Sequence, residues 1–402
     1  MPGVIVVIPC HNEENLLESL DSLENCLAPT AEVTVITVIN SSEIDSAEIK
    51  KRNTETFEKA IHWSRSKKWT YHFILENELP KKHAGVGLAR KIGMDEAVRI
   101  FESNEKDGVI ICFDADSECD ENLLVEVEGL FSDPKVLGCS IYYEHPTSGS
   151  MDPRIYDGIV QYEIHLRYYI DALIYAGHPY AFQTIGSSLA VRSSVYQKQG
   201  GMNRRQAGED FYFLHRIIPL GNFKNLNSTR IIPSPRKSDR VPFGTGKAIG
   251  DWLDTGDEQM QTYAPESFEE LKIFFAGANS YCGLSESELN ETYLKLSKCL
   301  KSFVSEEEFI QKINEVNQHS TTPETFQKRF FQWFDAFKVL KFVHHARDHF
   351  YPNISVYNAS KWILEEVRME SKDYSQREIL DALRKMDREE DYSILVANSP
   401  RK

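Results

Sequence analysis

The stretch Gly108-Val109-Ile110-Ile111-Cys112-Phe113-Asp114-Ala115-Asp116-Ser117 is an uninterrupted apolar run that ends in two aspartates one residue apart. An apolar run of this length predicts a parallel strand that is covered on both faces. In open α/β sheets ligands bind just outside the carboxyl ends of such strands, where hard oxygen ligands hold divalent cations. The alternative is that Asp114 and Asp116 only form turn hydrogen bonds and cap the following helix.

The residues before this stretch alternate between strand-like and helix-like segments. Strands are predicted at residues 4–8, 33–40 and 70–75, and the helix predicted at residues 13–25 carries its leucines on one face. A further helix opens at Gly85 and leads into the acidic strand. Strands and helices that alternate in this way predict an α/β fold with a parallel, doubly wound sheet.

The composition is that of an ordinary globular protein. The chain has 402 residues, of which 41% are hydrophobic and 27% are charged, so it can bury one large core or two. Its formal charge of -15 argues against nucleic acid or an anionic membrane surface as the main partner. An anionic substrate would therefore have to meet a metal ion or a local basic patch.

The cysteines and the N-terminus bear on the cellular location. The seven cysteines are odd in number and scattered without a C-x-x-C pair, which predicts reduced thiols in the cytoplasm. A strand begins within the first few residues, which leaves no room for a signal peptide. No apolar run approaches the length of a membrane span, so we expect a cytoplasmic protein that is not integral to a membrane.

Three segments, in this order along the chain, resemble motifs of the family-2 glycosyltransferases. Ile8-Pro9-Cys10-His11-Asn12-Glu13 resembles their first strand and turn, Asp114-Ala115-Asp116 their DxD motif, and Gly208-Glu209-Asp210 their later acidic motif. The resemblance covers about residues 1–255. It implies a GT-A-type, Rossmann-like sheet that binds a nucleotide-diphosphate sugar across the ends of its first strands, with Mn²⁺ or Mg²⁺ on the DxD acids.

The resemblance also implies which residues contact the donor. The nucleotide would be bound by the first turn, by the end of the second strand, by a basic residue at the glycine-containing helix start and by the first DxD acid: Pro9, Asn12, Glu13, Asn40, Arg90 and Asp114. Asp116 and Asp114 would hold the metal. The family usually has acids where this chain has Asn40, which leaves the base of the donor open. Glu13 has a second interpretation, as an acid stabilised by the dipole of the first helix.

The later acidic motif supplies the expected catalytic groups. In inverting members of the family an aspartate at the second acidic position takes the proton of the attacking hydroxyl, which implies Asp210 as general base and Glu209 as a positioning residue. Carboxylates at a helix start are also what capping requires. Gly186, Ser187 and Gly208 would lie beside the donor sugar and acceptor, with Gly186 at the entry of a strand over residues 184–191. A simple bulge at Gly186 is the alternative.

A basic segment follows at residues 234–247. It concentrates cations between prolines and glycines, which suits a loop that binds the diphosphate through Arg236, Arg240 and Lys247. The spacing of a Walker loop is absent. The alternative is a solvated basic loop.

From about residue 256 the pattern becomes helical, and the longest predicted helix covers residues 323–350 with an unusually aromatic side. Packing in a core explains this side better than a groove for a lipid acceptor. The Q-x-x-R-W signature of processive polysaccharide synthases is absent. We therefore expect a catalytic domain at residues 1–255, a helical C-terminal extension at residues 256–402, and transfer of a single sugar to a sugar, lipid-linked or small-molecule hydroxyl acceptor.

The leading hypothesis is a metal-dependent, inverting glycosyltransferase. A retaining transferase on the same fold and a catalytically silent protein that binds nucleotide sugars or glycans are the alternatives. A sugar-phosphate nucleotidyltransferase fits less well, because the glycine-rich, basic loop expected after Ile8 is missing.

Overall fold

The fold is that of a computed structural model, which describes residues 3–238, 240, 244–255, 259–367 and 374–389. The chain divides into two compact units. The first comprises Met1–Ile159 and Thr184–Gly256, and the second comprises Val160–Gln183 and Asp257–Lys402. Residues 239 and 241–243 of the basic segment, and residue 256 at the predicted domain boundary, lie outside the described residues.

The first unit is built on an eight-stranded sheet whose strand order is β3-β2-β1-β4-β7-β6-β8-β5. The strands are β1 (Val4–Cys10), β2 (Val33–Ser42), β3 (Thr70–Leu79), β4 (Val109–Cys112), β5 (Glu118–Cys119), β6 (Gly138–Tyr143), β7 (Leu189–Arg192) and β8 (Phe223–Ile232).

The sheet is mixed rather than parallel throughout. β3, β2, β1 and β4 are parallel, whereas β7 runs antiparallel to both of its neighbours and β5 runs antiparallel to β8. The α/β class is thus confirmed, but the parallel prediction is wrong for these two strands, because apolar runs do not encode strand direction. The strand predicted from residue 184 begins only at Leu189, since Ser188 N donates to Ile185 O (3.0 Å) and closes a turn before it.

The helices of the first unit connect these strands. They are α1 (Leu16–Glu24), α2 (Ala47–Ser64), α3 (Val86–Ser103), α4 (Leu123–Leu130), the start of α5 (Pro153–Tyr175), α6 (Ser193–Lys198), α7 (Glu209–Ile217) and α8 (Thr245–Thr255), with a short 3-10 helix at Ile218–Leu220. α1 begins later than predicted, because Glu13 accepts a hydrogen bond from Asn15 N (3.0 Å) and lies before the helix.

Helix α3 approaches the sheet unusually closely at Gly93. A Cβ atom built there would lie 2.4 Å from Val7 Cγ1 and 3.2 Å from Val38 Cγ2, and both valines are fully buried. Only glycine fits this contact without displacing a strand. Arg90 lies one helical turn earlier on the same face of α3, so the contact at Gly93 sets how deeply Arg90 reaches.

The second unit is helical. Its elements are the remainder of α5, α9 (Pro265–Ala276), α10 (Glu286–Lys295), α11 (Lys298–Phe303), α12 (Glu306–Gln318), α13 (Pro323–Trp333), α14 (Ala336–His349), α15 (Val356–Glu366) and α16 (Gln376–Glu389), a 3-10 helix at Ala278–Tyr281, and β9 (Gln261–Thr262) paired antiparallel with β10 (Ile354–Ser355).

The boundary between the units differs from the sequence prediction in one segment. Val160–Gln183 was assigned to the first domain, but it groups with the helical unit because Ile164, Tyr168 and Ala172 share a buried core with Phe268 and its neighbours. Among the described residues, no helix combines the length and the apolar character that crossing a membrane requires.

The predicted helix at residues 323–350 is two helices. α13 ends at Trp333, and Asp335 then caps α14 by accepting a hydrogen bond from Lys338 N (2.9 Å). The aromatic side chains Phe326, Phe330 and Phe342 are buried in the core of the second unit, so they pack there instead of lining a surface groove.

We expect Gly93→Ala to lower the free energy of unfolding by about 1–3 kcal/mol, because the new methyl group overlaps Val7 in a packed core. Gly129→Ala, in the exposed end of α4, meets no atom within 4 Å and is the matched control. That control should be neutral or stabilise by up to about 1 kcal/mol. Denaturant unfolding measures both, and equal stability of the two variants would contradict the close approach of α3.

Candidate active site

The candidate site lies at the carboxyl edge of the parallel strands. β1 and β4 are adjacent and parallel, with Val7 opposite Cys112, so both strands end at the same edge. Phe113 N donates to Val7 O (3.0 Å) and continues this alignment past the end of β4. The turn that carries Glu13 and the turn that carries Asp114 and Asp116 therefore leave the sheet side by side.

A buried arginine joins the DxD segment to the later acidic motif. Arg90 is 1% exposed, and its Nη2 donates to Asp114 Oδ1 (2.7 Å) while its Nη1 donates to Glu209 Oε1. In the described part of the chain, Arg90 Nε is buried without an acceptor. One guanidinium thus binds carboxylates from segments that lie far apart in sequence.

The charges of this cluster depend on one another. Burial would lower the pKa of Arg90, but Glu209 and Asp114 outweigh it and raise the pKa above the ordinary arginine value, so the guanidinium is charged. Burial raises the pKa of Glu209, with the neighbouring Asp210 adding to the rise and Arg90 opposing it. Arg90 therefore opposes the rise in pKa that burial causes at Glu209.

Asp210 joins the same cluster at the start of α7. Gly208, with φ of 68° in the left-handed region, precedes the helix, and Asp210 Oδ1 accepts a hydrogen bond from Phe211 N (2.7 Å). Burial raises the pKa of Asp210, whereas Arg90 lowers it. A Cβ on Gly186 would lie 2.6 Å from Arg90 Nη1 and 2.9 Å from Asp210 Oδ2, so only a glycine fits over this pair.

Two arginines of the basic segment reach the acids of the first turn. Arg236 donates through both Nη atoms to Glu13, with Nη1 at 3.1 Å from Oε1, and its Nη2 lies 2.6 Å from Asp116 Oδ2. Arg240 Nη1 donates to His11 O (2.8 Å) and to Glu13 Oε2 (3.2 Å). Arg236 Nε is buried, and no residue in the described ranges accepts from it.

The pKa values of Glu13 and Asp116, the two acids that contact these arginines, are shifted in opposite directions. Burial would raise the pKa of Glu13, but the hydrogen bonds from Arg236 and Asn15 N and the charge of Arg240 hold it below its ordinary value. Burial raises the pKa of Asp116, and Arg236 only partly opposes that rise. Glu13 is thus the fixed anion of this pair, and Asp116 is the acid whose charge is least compensated.

The turn after β1 is fixed by an asparagine that sequence patterns do not reveal. Asn12, with φ of 50°, donates from its backbone N to Asn53 Oδ1 (3.0 Å), and Asn53 Nδ2 donates to Asn40 O (2.9 Å). The sequence gives no signal for this role of Asn53, since no spacing links residue 53 to the first turn. Asn12 Oδ1 is buried without a donor among the described residues.

The predicted site residues are brought together with a few exceptions. Arg90 joins Asp114 to Glu209, and Arg236 joins Glu13 to Asp116. Asp210 follows Glu209 in α7, and Gly186 lies over Arg90 and Asp210. Pro9 lies within β1, Asn40 contributes its backbone carbonyl, and buried Ser187 follows Gly186 in the turn before β7. Lys247 is the exception in the basic segment, because it lies in α8 and pairs with Asp251 of the same helix.

The metal expected from the resemblance has only a partial ligand set here. Among the described residues no group of three or more His, Cys, Asp and Glu side chains is arranged to hold an ion. Asp114 and Asp116 do supply hard carboxylate oxygens, and magnesium is commonly bound by one or two carboxylates together with substrate phosphates. The donor chemistry therefore fits an ion that a diphosphate completes, provided that Arg236 releases Asp116.

Comparisons with known proteins give only distant similarities. No protein-family model matches the chain, and no curated protein matches it. Solved structures of S. aureus TarS 1-349, one with UDP-GlcNAc and one with UDP, are similar at 10% and 12% identity, cover 83% and 97% of this chain and 91% of theirs, and give a TM-score of 0.39. GalNAc-T7 with UDP, GalNAc and Mn²⁺ is similar at 13% identity, with 84% of this chain and 58% of that one covered, and the same TM-score. These similarities are too low to carry an argument about this chain.

We expect Arg90→Met to lower the free energy of unfolding by about 3–5 kcal/mol, because it leaves Glu209 and Asp114 without their buried counter-charge. Arg99→Met, which breaks an exposed pair with Glu96 on the same helix, is the matched control and should change stability little. Denaturant unfolding near pH 7 measures both variants. Equal effects of the two substitutions would show that the buried bridge does not organise the site.

Proposed function

We propose that the chain is a glycosyltransferase that moves a sugar from a nucleotide-diphosphate sugar to a hydroxyl acceptor. The observation that supports this proposal is the meeting of acids from three distant segments, the first turn, the DxD segment and the start of α7, at the carboxyl edge of β1 and β4. Three arginines bind these acids. Carboxylates that can hold a metal ion and guanidinium groups that can bind a diphosphate therefore lie at the same edge.

In this proposal the nucleotide lies across the ends of β1 and β2, and the diphosphate lies under Arg236 and Arg240. Both arginines are partly exposed, so phosphate oxygens can replace the carboxylates that they contact. Asp116 and Asp114 would hold the divalent ion, Mn²⁺ or Mg²⁺, which when bound neutralises charge on the leaving diphosphate. The buried Nε of Arg236 is a further donor for this anion.

Asp210 is the proposed general base. It is partly exposed, whereas Glu209 is buried and bound by Arg90, so Asp210 is the acid that an acceptor hydroxyl can reach. A raised pKa gives it more proton affinity than an ordinary aspartate, although the charge of Arg90 opposes part of that rise. Glu209 and Arg90 are positioning residues in this scheme. Attack from the face opposite the leaving diphosphate would invert the anomeric centre.

We predict that Asp210→Asn lowers kcat by about 10²–10⁴-fold without loss of donor binding, because only proton removal is lost. Product formation and donor-induced thermal stabilisation would be measured on the same preparations. Asp381→Asn, an exposed position on α16, is the matched control and should keep full activity. Unchanged turnover of the Asp210 variant would exclude it as the base, and donor binding with no turnover in the parent protein would favour a silent binding protein.

The fall of kcat/KM at low pH should report the protonation of Asp210. A base works only when deprotonated, so kcat/KM falls as the pH drops through a pKa that lies above the ordinary aspartate value of 3.8. Asp114 is one of the charges that raise this pKa, so Asp114→Asn should move the acid limb to lower pH even though it also weakens donor binding. A pH-rate profile of both proteins measures this, and a limb that moves to higher pH would contradict the assignment.

A further inference from the structure

Four cations and one histidine lie in two loops, one of which leads into the helix that carries the proposed base. Lys81, Lys82 and His83 lie in the loop between β3 and α3, and Arg204 and Arg205 lie in the loop between α6 and α7. Within the described ranges none of the five forms an ion pair with a carboxylate, and four of the side chains are exposed. The chain as a whole has a net charge of -15, so the charge of these two loops is opposite in sign to that of the whole chain. We call these residues the basic cluster.

The two loops of the basic cluster are in direct contact. Gln206 Nε2 donates to Lys81 O (3.0 Å), which ties the loops together. A Cβ on Gly85 would lie 2.8 Å from Gln206 Cα, and one on Gly87 would lie 2.2 Å from Arg205 O. The second loop therefore packs against the backbone at the start of α3, and the cations of both loops belong to one surface.

The second of these loops leads directly into the helix that carries Asp210. Arg205 precedes Asp210 by five residues, which span at most about 18 Å of chain. Asn203 Nδ2 donates to Glu209 O (2.9 Å), which fastens the loop to the start of α7. The Arg205 guanidinium lies over the Tyr212 ring at 3.5 Å from its centre, so this exposed cation has a contact that restricts its position.

The basic cluster and the arginines that are proposed to bind the diphosphate are different residues. The diphosphate in the proposed function meets Arg236 and Arg240, whereas Arg204 and Arg205 of the basic cluster lie on the loop that leads into α7, the helix that carries Asp210. In that scheme the acceptor places its hydroxyl at Asp210, which this loop precedes in the chain. The carboxylate of Glu43 also lies at the first loop, where it accepts a hydrogen bond from the backbone N of Lys81 (2.9 Å).

We propose that the acceptor carries a phosphate group and that the basic cluster binds this phosphate. The proposal rests on the proposed function. Two arginines and two lysines supply more positive charge than a single carboxylate would neutralise, and the guanidinium fork matches phosphate oxygens. The cluster would then select phosphate-bearing acceptors and hold them with a hydroxyl at Asp210.

The test is titration calorimetry with inorganic pyrophosphate, without divalent metal and with the donor site filled by the nucleoside diphosphate that stabilises the protein. Arg204→Gln with Arg205→Gln should weaken pyrophosphate binding about tenfold or more. The matched control is Lys328→Gln with Arg329→Gln, two adjacent exposed cations on α13 that also lack a carboxylate partner among the described residues. The control pair removes the same charge and should leave binding unchanged.

Two results would overturn the proposal. Equal weakening by both variant pairs would show a general charge effect, and citrate binding as tightly as pyrophosphate would show that the cluster does not select phosphate. Failure of the proposed function would look different, because then no nucleoside diphosphate stabilises the protein. Pyrophosphate binding that depends on Arg204 and Arg205 would in that case mark an anion site with another purpose.

Discussion

The candidate site depends on the burial of one guanidinium between two carboxylates. Arg90 reaches Asp114 at the end of β4 and Glu209 at the start of α7, and it is almost inaccessible to solvent. A buried charge is tolerated only while its partners are in place, so the depth of α3, the DxD turn and the orientation of α7 are constrained together. Gly93, one turn further along α3, permits that depth by leaving room for Val7.

The second set of ion pairs has a different character. Arg236 and Arg240 join the basic segment to Glu13 and Asp116, but about a quarter to a third of each arginine side chain is exposed. Such pairs can exchange partners at low cost, whereas the pair at Arg90 cannot. The buried ion pairs of Arg90 thus hold the acids near Asp210 in place. The partly exposed ion pairs of Arg236 and Arg240 can open, which suits a ligand that brings its own phosphates and metal.

Much of this arrangement was predictable from the sequence. The remainder was not predictable, and the physical reasons can be named. The apolar runs located β1, β2 and β4, and the spacing of Asp114 and Asp116 located the edge. The partners of Arg90 were not predictable, because Glu209 is 119 residues away and local patterns do not report such pairing. The same holds for Asn53, for the antiparallel direction of β7, and for the part of α5 that joins the helical core. Lys247 was predicted to lie in a loop that binds the diphosphate. Part of the basic segment instead folds into α8, where Lys247 pairs with Asp251 one turn away.

The most direct test of the account is whether the edge of β1 and β4 binds a nucleotide-diphosphate sugar. Thermal unfolding would be followed with uridine, guanosine, thymidine and cytidine diphosphate sugars, each with and without Mn²⁺. A ligand at about 100 times its dissociation constant stabilises the native state by about 2.7 kcal/mol, which is readily measured. We expect a metal-dependent rise in Tm with one nucleotide class. No rise with any of the four would contradict the assignment of a nucleotide-sugar site to the edge of β1 and β4.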